Sequence, residues 1–314
     1  MKVSVCLTVL NAEDQIAVLL ESILNQTRKA DEIVIVDGGS NDKTLEIIRH
    51  FQKKNKEIKL LSEKCYRARG RNLGVEISRN EIIAMTDGGC IARKDWLDNI
   101  IDPLEDSDID IVGGIYEMVG ETSMQKALGV FLGFRSSNFG EYFLPTTRSI
   151  AFRKKAWEAV GGFPERSGNS AEDTEFNYKA LRVGLKYSRV KDAIVEWGIP
   201  SNLKEGITTM GDYAEWDARS RIWWHPTQKL ASHNIRVISI FFRYIVGLLL
   251  LISGIRNPLF LFLLALGFFF YLVWAFRKVF EKHRSLKVAV WGPIIQIASD
   301  IAVMSGFLKG TIRK

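Results

Sequence analysis

The stretch Met85–Trp96, MTDGGCIARKDW, follows a short apolar run, Glu81–Met85 (EIIAM), and the two together decide the fold. A brief apolar run bounded by turn residues reads as a buried parallel strand. This one ends in Thr86-Asp87-Gly88-Gly89-Cys90, a carboxylate followed by two glycines. In open α/β sheets, ligands occupy the crevice beyond the carboxyl ends of the strands. A hard divalent cation takes oxygen ligands, and glycines let a phosphate come close to the backbone. Asp87 with Gly88 is therefore a candidate site for a metal-bound pyrophosphate. The same residues equally read as a tight turn with Asp at its first position.

Outward from this stretch, residues 1–112 alternate short apolar runs with helical patterns. Val3–Leu10 is a β-branched strand, and Glu13–Asn25 carries Ile16, Leu19, Leu20 and Ile23 at helical spacing. Glu32–Val36 is a second strand, ended by Asp37-Gly38-Gly39-Ser40, and Asp42–Lys54 a second helix. Ile58–Ser62, Ala68–Ser78 and Glu81–Met85 continue the series as strand, helix, strand. Such alternation predicts right-handed βαβ crossovers and an α/β fold with a mostly parallel, doubly wound, Rossmann-like sheet. No G-x-G-x-x-G follows the first strand, which argues against a dinucleotide-dependent dehydrogenase.

The 314 residues, 47% hydrophobic and 25% charged, conceal a division. From Lys229 onward, 12 Lys or Arg face only Glu281 and Asp300, a balance of +10 within a total of +7, so residues 1–228 carry −3. The basic residues flank apolar runs rather than line a polar face, which points to a membrane and not to nucleic acid. Three runs, 237–255, 258–276 and 288–308, approach the roughly 20 residues that cross a bilayer. Arg243 can snorkel from the start of the first, and Asp300 in the third is costly unless it faces a bundle interior. Arg277, Lys278, Lys282, Arg284 and Lys287 form the most basic loop, which should be cytoplasmic. The expectation is a multi-pass cell-membrane protein. Residues 1–228 form a cytoplasmic domain with interfacial helices near 205–235, and residues 229–314 a membrane domain. Lys309, Arg313 and Lys314 leave the count open at two or three spans. Three cysteines, Cys6, Cys65 and Cys90, without metal-ligand spacing suggest reduced thiols. Lys2 and the polar Asn11–Gln15 come too early for a signal-peptide core.

Five pieces, in order, are Val3–Asp14 (VSVCLTVLNAED), Glu32–Thr44 (EIVIVDGGSNDKT), Gly70–Gly74 (GRNLG), Thr86–Leu97 (TDGGCIARKDWL) and the segment Ala151–Leu181, which holds Gly161-Gly162-Phe163 and Glu172-Asp173. Together they resemble family 2 glycosyltransferases of the GT-A fold, over roughly residues 1–225. The membrane tail resembles the cellulose-synthase-like branch and archaeal mannosyltransferases that build lipid-linked N-glycans.

The resemblance implies roles. Thr8, Leu10 and Asn11, with Glu13 nearby, would touch the nucleotide base, and Asp37 the base or ribose; the alternative for Asp37 is to cap the following helix. Arg71 and Asn72, at a helix start, would meet nucleotide or phosphate, although Arg67, Arg69 and Arg71 also read as a solvated basic face. Asp87 matches the first carboxylate of an Asp-x-Asp metal motif, and Gly89 stands where the second belongs. Binding of Mg²⁺ or Mn²⁺ should therefore be modest, with diphosphate oxygens and water completing the shell. Asp173 is the candidate base for the acceptor hydroxyl, and Glu172 an orienting carboxylate; an acidic first turn capped by Ser170 explains the pair equally. Gly162 and Phe163 form an acceptor-side turn. Arg219, Arg221 and Trp223 approximate a Gln-x-x-Arg-Trp element that meets diphosphate and acceptor, and also suit a membrane interface. Glu196 is a possible late metal ligand, whereas His225 has no ligand spacing. Leu128–Leu144 reads as a lipid-facing loop, an interfacial helix or core. The implied activity is inverting transfer of a hexose, mannose or glucose, from a GDP- or UDP-linked sugar to a polyprenyl- or dolichyl-phosphate-linked acceptor. A processive polysaccharide synthase and a non-catalytic nucleotide-sugar-binding membrane scaffold are the alternatives.

Overall fold

The computed structural model describes residues 1–133, 139–165, 171–224 and 233–312. Ser170, His225, the 228/229 boundary, residues 134–138 of the aromatic stretch, Arg313 and Lys314 lie outside the described residues. The elements run β1 Val3–Val9, α1 Ile16–Leu24, β2 Glu32–Asp37, α2 Thr44–Lys54, β3 Ile58–Ser62, α3 Arg67–Ile77, β4 Ile82–Asp87 and β5 Cys90–Ala92. They continue with α4 Trp96–Ile101, β6 Ile111–Val119, α5 Ser123–Leu132, β7 Ile150–Arg153, α6 Lys154–Val160, α7 Glu172–Arg182 and β8 Tyr187–Gly198. The last part is helical: α8 Leu203–Ser220, α9 His233–Gly254, α10 Pro258–His283, α11 Leu286–Ala289 and α12 Trp291–Ile312. The chain forms two compact units, Met1–Glu117 with Phe134–Gly198, and Met118–Gly133 with Ile199–Lys314.

The first unit is built on an eight-stranded sheet in the order β3-β2-β1-β4-β7-β6-β8-β5. Side chains alternate across a strand, and here both sets are apolar. Val5, Leu7, Ile33, Ile35 and Ala84 face α1 and α4, against Leu19, Leu20, Trp96 and Ile100. Cys6, Val34, Ile83 and Met85 face α3, α6 and α7, against Val75, Ala156 and Phe176. This two-sided burial is why the strands read as unbroken apolar runs rather than as alternating patterns.

β1 pairs in parallel with β2 and β4, and β2 with β3. The register sets Thr8 opposite Asp87 and Val9 opposite Asp37, so both acidic strand ends lie along one edge. Beyond β4 the sheet changes direction, because β7 runs antiparallel to β4 and to β6. Gly88 and Gly89 turn the chain from β4 into β5, which pairs antiparallel with β8 and sets Cys90 opposite Trp197. The sheet is thus mixed: parallel through β3, β2, β1 and β4, the half that the βαβ alternation predicts, and antiparallel in the pairings of β7 with β4 and β6 and of β5 with β8. Cys6, Cys65 and Cys90 are free thiols, and burial pushes Cys6 and Cys90 up to about 12, which makes them inert.

In the second unit, α5 starts on a reciprocal capping box between Thr122 and Gln125 and buries Ala127 and Leu128 in a cluster with Met210, Val279, Val288 and Ile295. For residues 128–132 of the aromatic stretch, core is the observed role. Three helices, Asn234–Gly254, Pro258–His283 and Leu286–Ile312, are long and apolar enough to cross a membrane. Asn257 caps α10 through Leu259 N at 3.0 Å, with Pro258 behind it. Asp300 on α12 does face the bundle interior. It is 2% exposed and accepts from Arg243 (3.1 Å) and Tyr244 (3.3 Å) of α9, from Tyr271 of α10, and from Gln296 (2.9 Å) one turn away. A carboxylate at membrane depth is tolerable only with such partners.

Gly306 and Gly310, four residues apart on α12, let it lie directly on α8, where a Cβ on either would overlap the carbonyls of Gly211 and Glu215. Small residues at this spacing set the closest approach of two helices. Replacing Gly306 by Leu should therefore force α8 and α12 apart, at a cost of about 1–3 kcal/mol. The expected result is a lower thermal midpoint of the detergent-solubilised protein, with an unchanged midpoint counting against this packing.

Candidate active site

The site assembles where β4 ends. Arg71, in the second turn of α3, is 2% exposed and forks between two carboxylates. Its Nη2 donates to Asp87 Oδ1 at 2.8 Å, and its Nη1 donates to Glu172 Oε1 at the start of α7. One guanidinium thus joins residues 71, 87 and 172, which no local pattern connects. Because Arg71 sits inside the helix rather than at its first residue, the helix dipole that the sequence suggested contributes little. The other two arginines fare differently: Arg69 pairs with Glu63, Glu76 and Glu165, and Arg67 remains exposed.

Burial acts to raise the pKa of Asp87, but Arg71, then Arg148 and Arg67, outweigh it and hold the carboxyl at about 2. Asp173 behaves oppositely. Burial first, and the neighbouring Glu172 second, push it up to about 6 against the pull of Arg71 and Arg148. Two carboxylates in one site are thereby set apart, one firmly ionised and one close to neutrality, as acid–base chemistry requires. Asp173 Oδ1 accepts from its neighbour Thr174 N at 2.7 Å. Glu172 Oε2 is buried and has no hydrogen-bond partner among the described residues, so it can accept a hydroxyl. Ala171 precedes the pair at φ 68°, a left-handed conformation that costs a non-glycine residue energy and that tends to occur at functional sites.

The loops after β1 and β2 are laced together. Asn11, itself at φ 48°, receives Asn41 N on its Oδ1 (3.0 Å) and gives its own N–H to Ser40 Oγ (2.9 Å). Glu13 Oε2 accepts Lys43 N at 2.9 Å. Thr8 is half-buried and Leu10 exposed, so the rim beyond β1 is open. Asp37 is fully buried and accepts from Gly39 N, Ser40 N and Ser62 Oγ; its carboxylate holds the Asp-Gly-Gly-Ser turn. The carboxylate at the start of α2 is Asp42, through Thr44 N.

Asn72 is fully engaged. It donates to Phe163 O (2.8 Å) and Glu165 (2.7 Å) and accepts from Phe163 N (2.8 Å) and Trp157 Nε1 (3.0 Å). It thereby fastens the turn of Gly161 and Gly162, both at φ 74°, to α3. Phe163 is buried and stacks on Phe176 at 4.5 Å, so it anchors α7 from within the core rather than facing an acceptor. Glu196 lies opposite Ile91 and pairs with Arg93. In the second unit, Arg219 pairs with Glu215 and covers the Trp216 ring. Arg221 ends α8 at φ 55°, and Trp223 packs edge-on against Phe307.

Sequence reasoning missed Gln15, Tyr116, Arg148 and Trp197. A Cβ at Gly89 would lie 2.9 Å from Gln15 Oε1 and 3.5 Å from Trp197 Nε1. The strand end therefore offers one carboxylate, Asp87, with an amide oxygen beside it. No group of three or more His, Cys, Asp or Glu poised for a metal occurs among the described residues. Asp87, with the Gln15 amide oxygen near Gly89, is an oxygen-donor set of the kind a hard cation such as Mg²⁺ accepts, and Mg²⁺ needs few protein ligands.

The profile of Glycosyl transferase family 2 matches residues 4–161. Glycosyltransferase AglE of Haloferax volcanii is 28% identical over 199 residues, 61% of this chain and 65% of that protein. An uncharacterized glycosyltransferase of Haemophilus influenzae is 33% identical over 122 residues, 38% of each chain. The matches thus span less than two thirds of these relatives. Among solved structures, a mannosyltransferase from Pyrobaculum calidifontis in complex with GDP-Man and Mn²⁺ superposes with TM-score 0.60 at 17% identity, covering 98% of this chain and 86% of that one. S. aureus TarS in complex with UDP-GlcNAc gives 0.54 at 21%, covering 68% and 66%.

Replacing Arg71 by Met would strand two carboxylates in a buried setting. The expected loss is about 3–5 kcal/mol, on the order of 10 °C in thermal midpoint. Arg71→Lys, which keeps the charge but not the fork, should fall between. An Arg71→Met protein that melts with the wild type would contradict the bridging role.

Proposed function

The chain belongs to glycosyl transferase family 2, and from that premise we propose that it is a glycosyltransferase, an inverting hexosyltransferase using a GDP- or UDP-linked sugar, mannose or glucose, and a polyprenyl- or dolichyl-phosphate-linked acceptor. The observation that carries this reading is the divided pair of carboxylates, with Asp87 held ionised and Asp173 raised toward neutrality around one buried arginine.

In this reading Asp173 takes the proton of the acceptor hydroxyl as its oxygen bonds to the anomeric carbon. The bond from that carbon to the diphosphate breaks, and the nucleoside diphosphate leaves with the electron pair. A single displacement by one base inverts the anomeric centre. Glu172 orients sugar hydroxyls through its unpartnered oxygen. Asp87 would hold Mg²⁺ or Mn²⁺, which when bound supplies positive charge to the leaving diphosphate. Thr8, Leu10, Asn11 and Glu13 on the open rim beyond β1 would meet the base, with Asp37 shaping the floor of that rim and Gly88 letting the diphosphate approach. Arg71 and Asn72 support the site from beneath, Gly162 would border its acceptor side, and Phe163 anchors that turn from within the core.

Support for a lipid-linked acceptor comes from the covalent attachment of this unit to three helices of membrane-spanning length. Arg219, Arg221 and Trp223, just before those helices in the chain, would serve the acceptor or its phosphates. The basic residues Arg277, Lys278, Lys282, Arg284 and Lys287, which lie at the end of α10 and just beyond it rather than in one loop, support a cytoplasmic catalytic unit. Mannose is favoured by the likeness to a structure that holds GDP-Man and Mn²⁺.

The reading is tested by incubating purified protein with GDP-mannose, UDP-glucose and related donors, Mg²⁺ or Mn²⁺, and a polyprenyl-phosphate-linked sugar. Asp173→Asn should lower kcat by roughly 10²–10⁴-fold, and Asp87→Asn should raise the donor KM. Below about 6, Asp173 carries a proton and cannot accept another, so kcat should fall as pH drops through that value and level off above it. Unimpaired transfer by Asp173→Asn would reassign the base, and nucleotide-sugar binding without transfer to any acceptor would favour a scaffold.

A further inference from the structure

Trp197 is placed by the β5–β8 register opposite Cys90, which brings its indole beside Gly89, 3.5 Å from where a Cβ would stand. On the indole lies Arg148, its guanidinium carbon 3.8 Å from the Trp197 ring centroid and 5.0 Å from that of Tyr116. The two rings meet edge to face at 5.9 Å, so the guanidinium occupies a corner of two aromatic walls. A stacked guanidinium still donates in its own plane, the geometry that matches phosphate oxygens.

Arg148 also acts electrostatically on three groups at once, Asp87, Cys90 and Asp173. Its position on Trp197 thus leaves it within electrostatic reach of Asp87 and Asp173. Of the three carboxylates Asp87, Glu172 and Asp173, the buried Arg71 is bonded to the first two. A diphosphate entering this site adds further negative charge. With glycine at position 89, one carboxylate fewer is available to recruit a compensating metal.

Resting on the donor reading above, we propose that Arg148, held on Trp197, is a protein-borne contact for the nucleotide's diphosphate and supplies part of the positive charge otherwise brought by a tightly held metal. Nucleoside diphosphate then binds to this enzyme even when divalent cations are removed. Trp197 acts as a positioning residue, setting the plane of the guanidinium.

The test is calorimetric titration of the full-length protein in detergent with UDP and with GDP, and with uridine and guanosine, in EDTA and in Mn²⁺. The wild type should bind UDP or GDP in EDTA. Arg148→Ala should weaken that binding by about tenfold or more, as expected for loss of a charge-assisted bond, and leave the nucleoside alone unaffected. Arg148→Gln keeps a planar group on the indole without the charge and should show the same loss, which separates charge from packing if the alanine protein is unstable. Gly89→Asp restores a second carboxylate, and the flexible Gln15 side chain can yield to it. This variant should tighten UDP or GDP binding in Mn²⁺ relative to EDTA more than the wild type does. Wild-type affinity in Arg148→Gln, or wild-type binding that vanishes in EDTA, overturns the proposal while leaving the donor reading intact. Failure of the wild type to bind either diphosphate under any condition removes that reading and this one with it.

Discussion

A buried guanidinium is unfavourable unless its charge is met, and Arg71 is met on two sides, by Asp87 at the end of β4 and by Glu172 at the start of α7. The bridge links α3, which packs over the parallel half of the sheet, to the two elements that carry the acidic groups. It also produces the electrostatic division on which the proposed chemistry rests. Asp87 stays ionised next to the arginine, while Asp173, one residue beyond the salt-bridged Glu172, bears the desolvation and like-charge repulsion.

The rest of the first unit supports that arrangement. The β1–β2–β4 register aligns the acidic strand ends. Asp37 ties the Asp-Gly-Gly-Ser turn, and Asn72 ties the Gly161-Gly162 turn that precedes α7. Phe163 and Phe176 stack beneath. These residues share the work of holding the backbone around the acidic strand ends, which is how a site is kept rigid.

The second unit solves a different problem. Its helices present apolar surface outward and must satisfy every polar group inward. Asp300 draws partners from each of the three long helices, and the glycine pair on α12 lets α8 approach closely. The grouping of α5 and α8 with these helices, rather than with the sheet, follows from the apolar faces they bury there.

Much was legible in the chain alone. Apolar runs of strand length separated by amphipathic segments determine a βαβ sheet, because burial on both faces leaves few alternatives. Runs of about 20 apolar residues determine helices of spanning length. The positions of Asp87, Glu172 and Asp173 were readable because carboxylates beside turns and helix starts stand out against their surroundings. Tertiary structure alone decided the partners. That Arg71 joins residues 87 and 172, that Phe163 turns inward, and that Arg148 rests on Trp197 beside Gly89 depend on strand order and register. Those are set by packing between segments tens of residues apart, and a side chain's surroundings at that separation leave no periodic trace in the sequence.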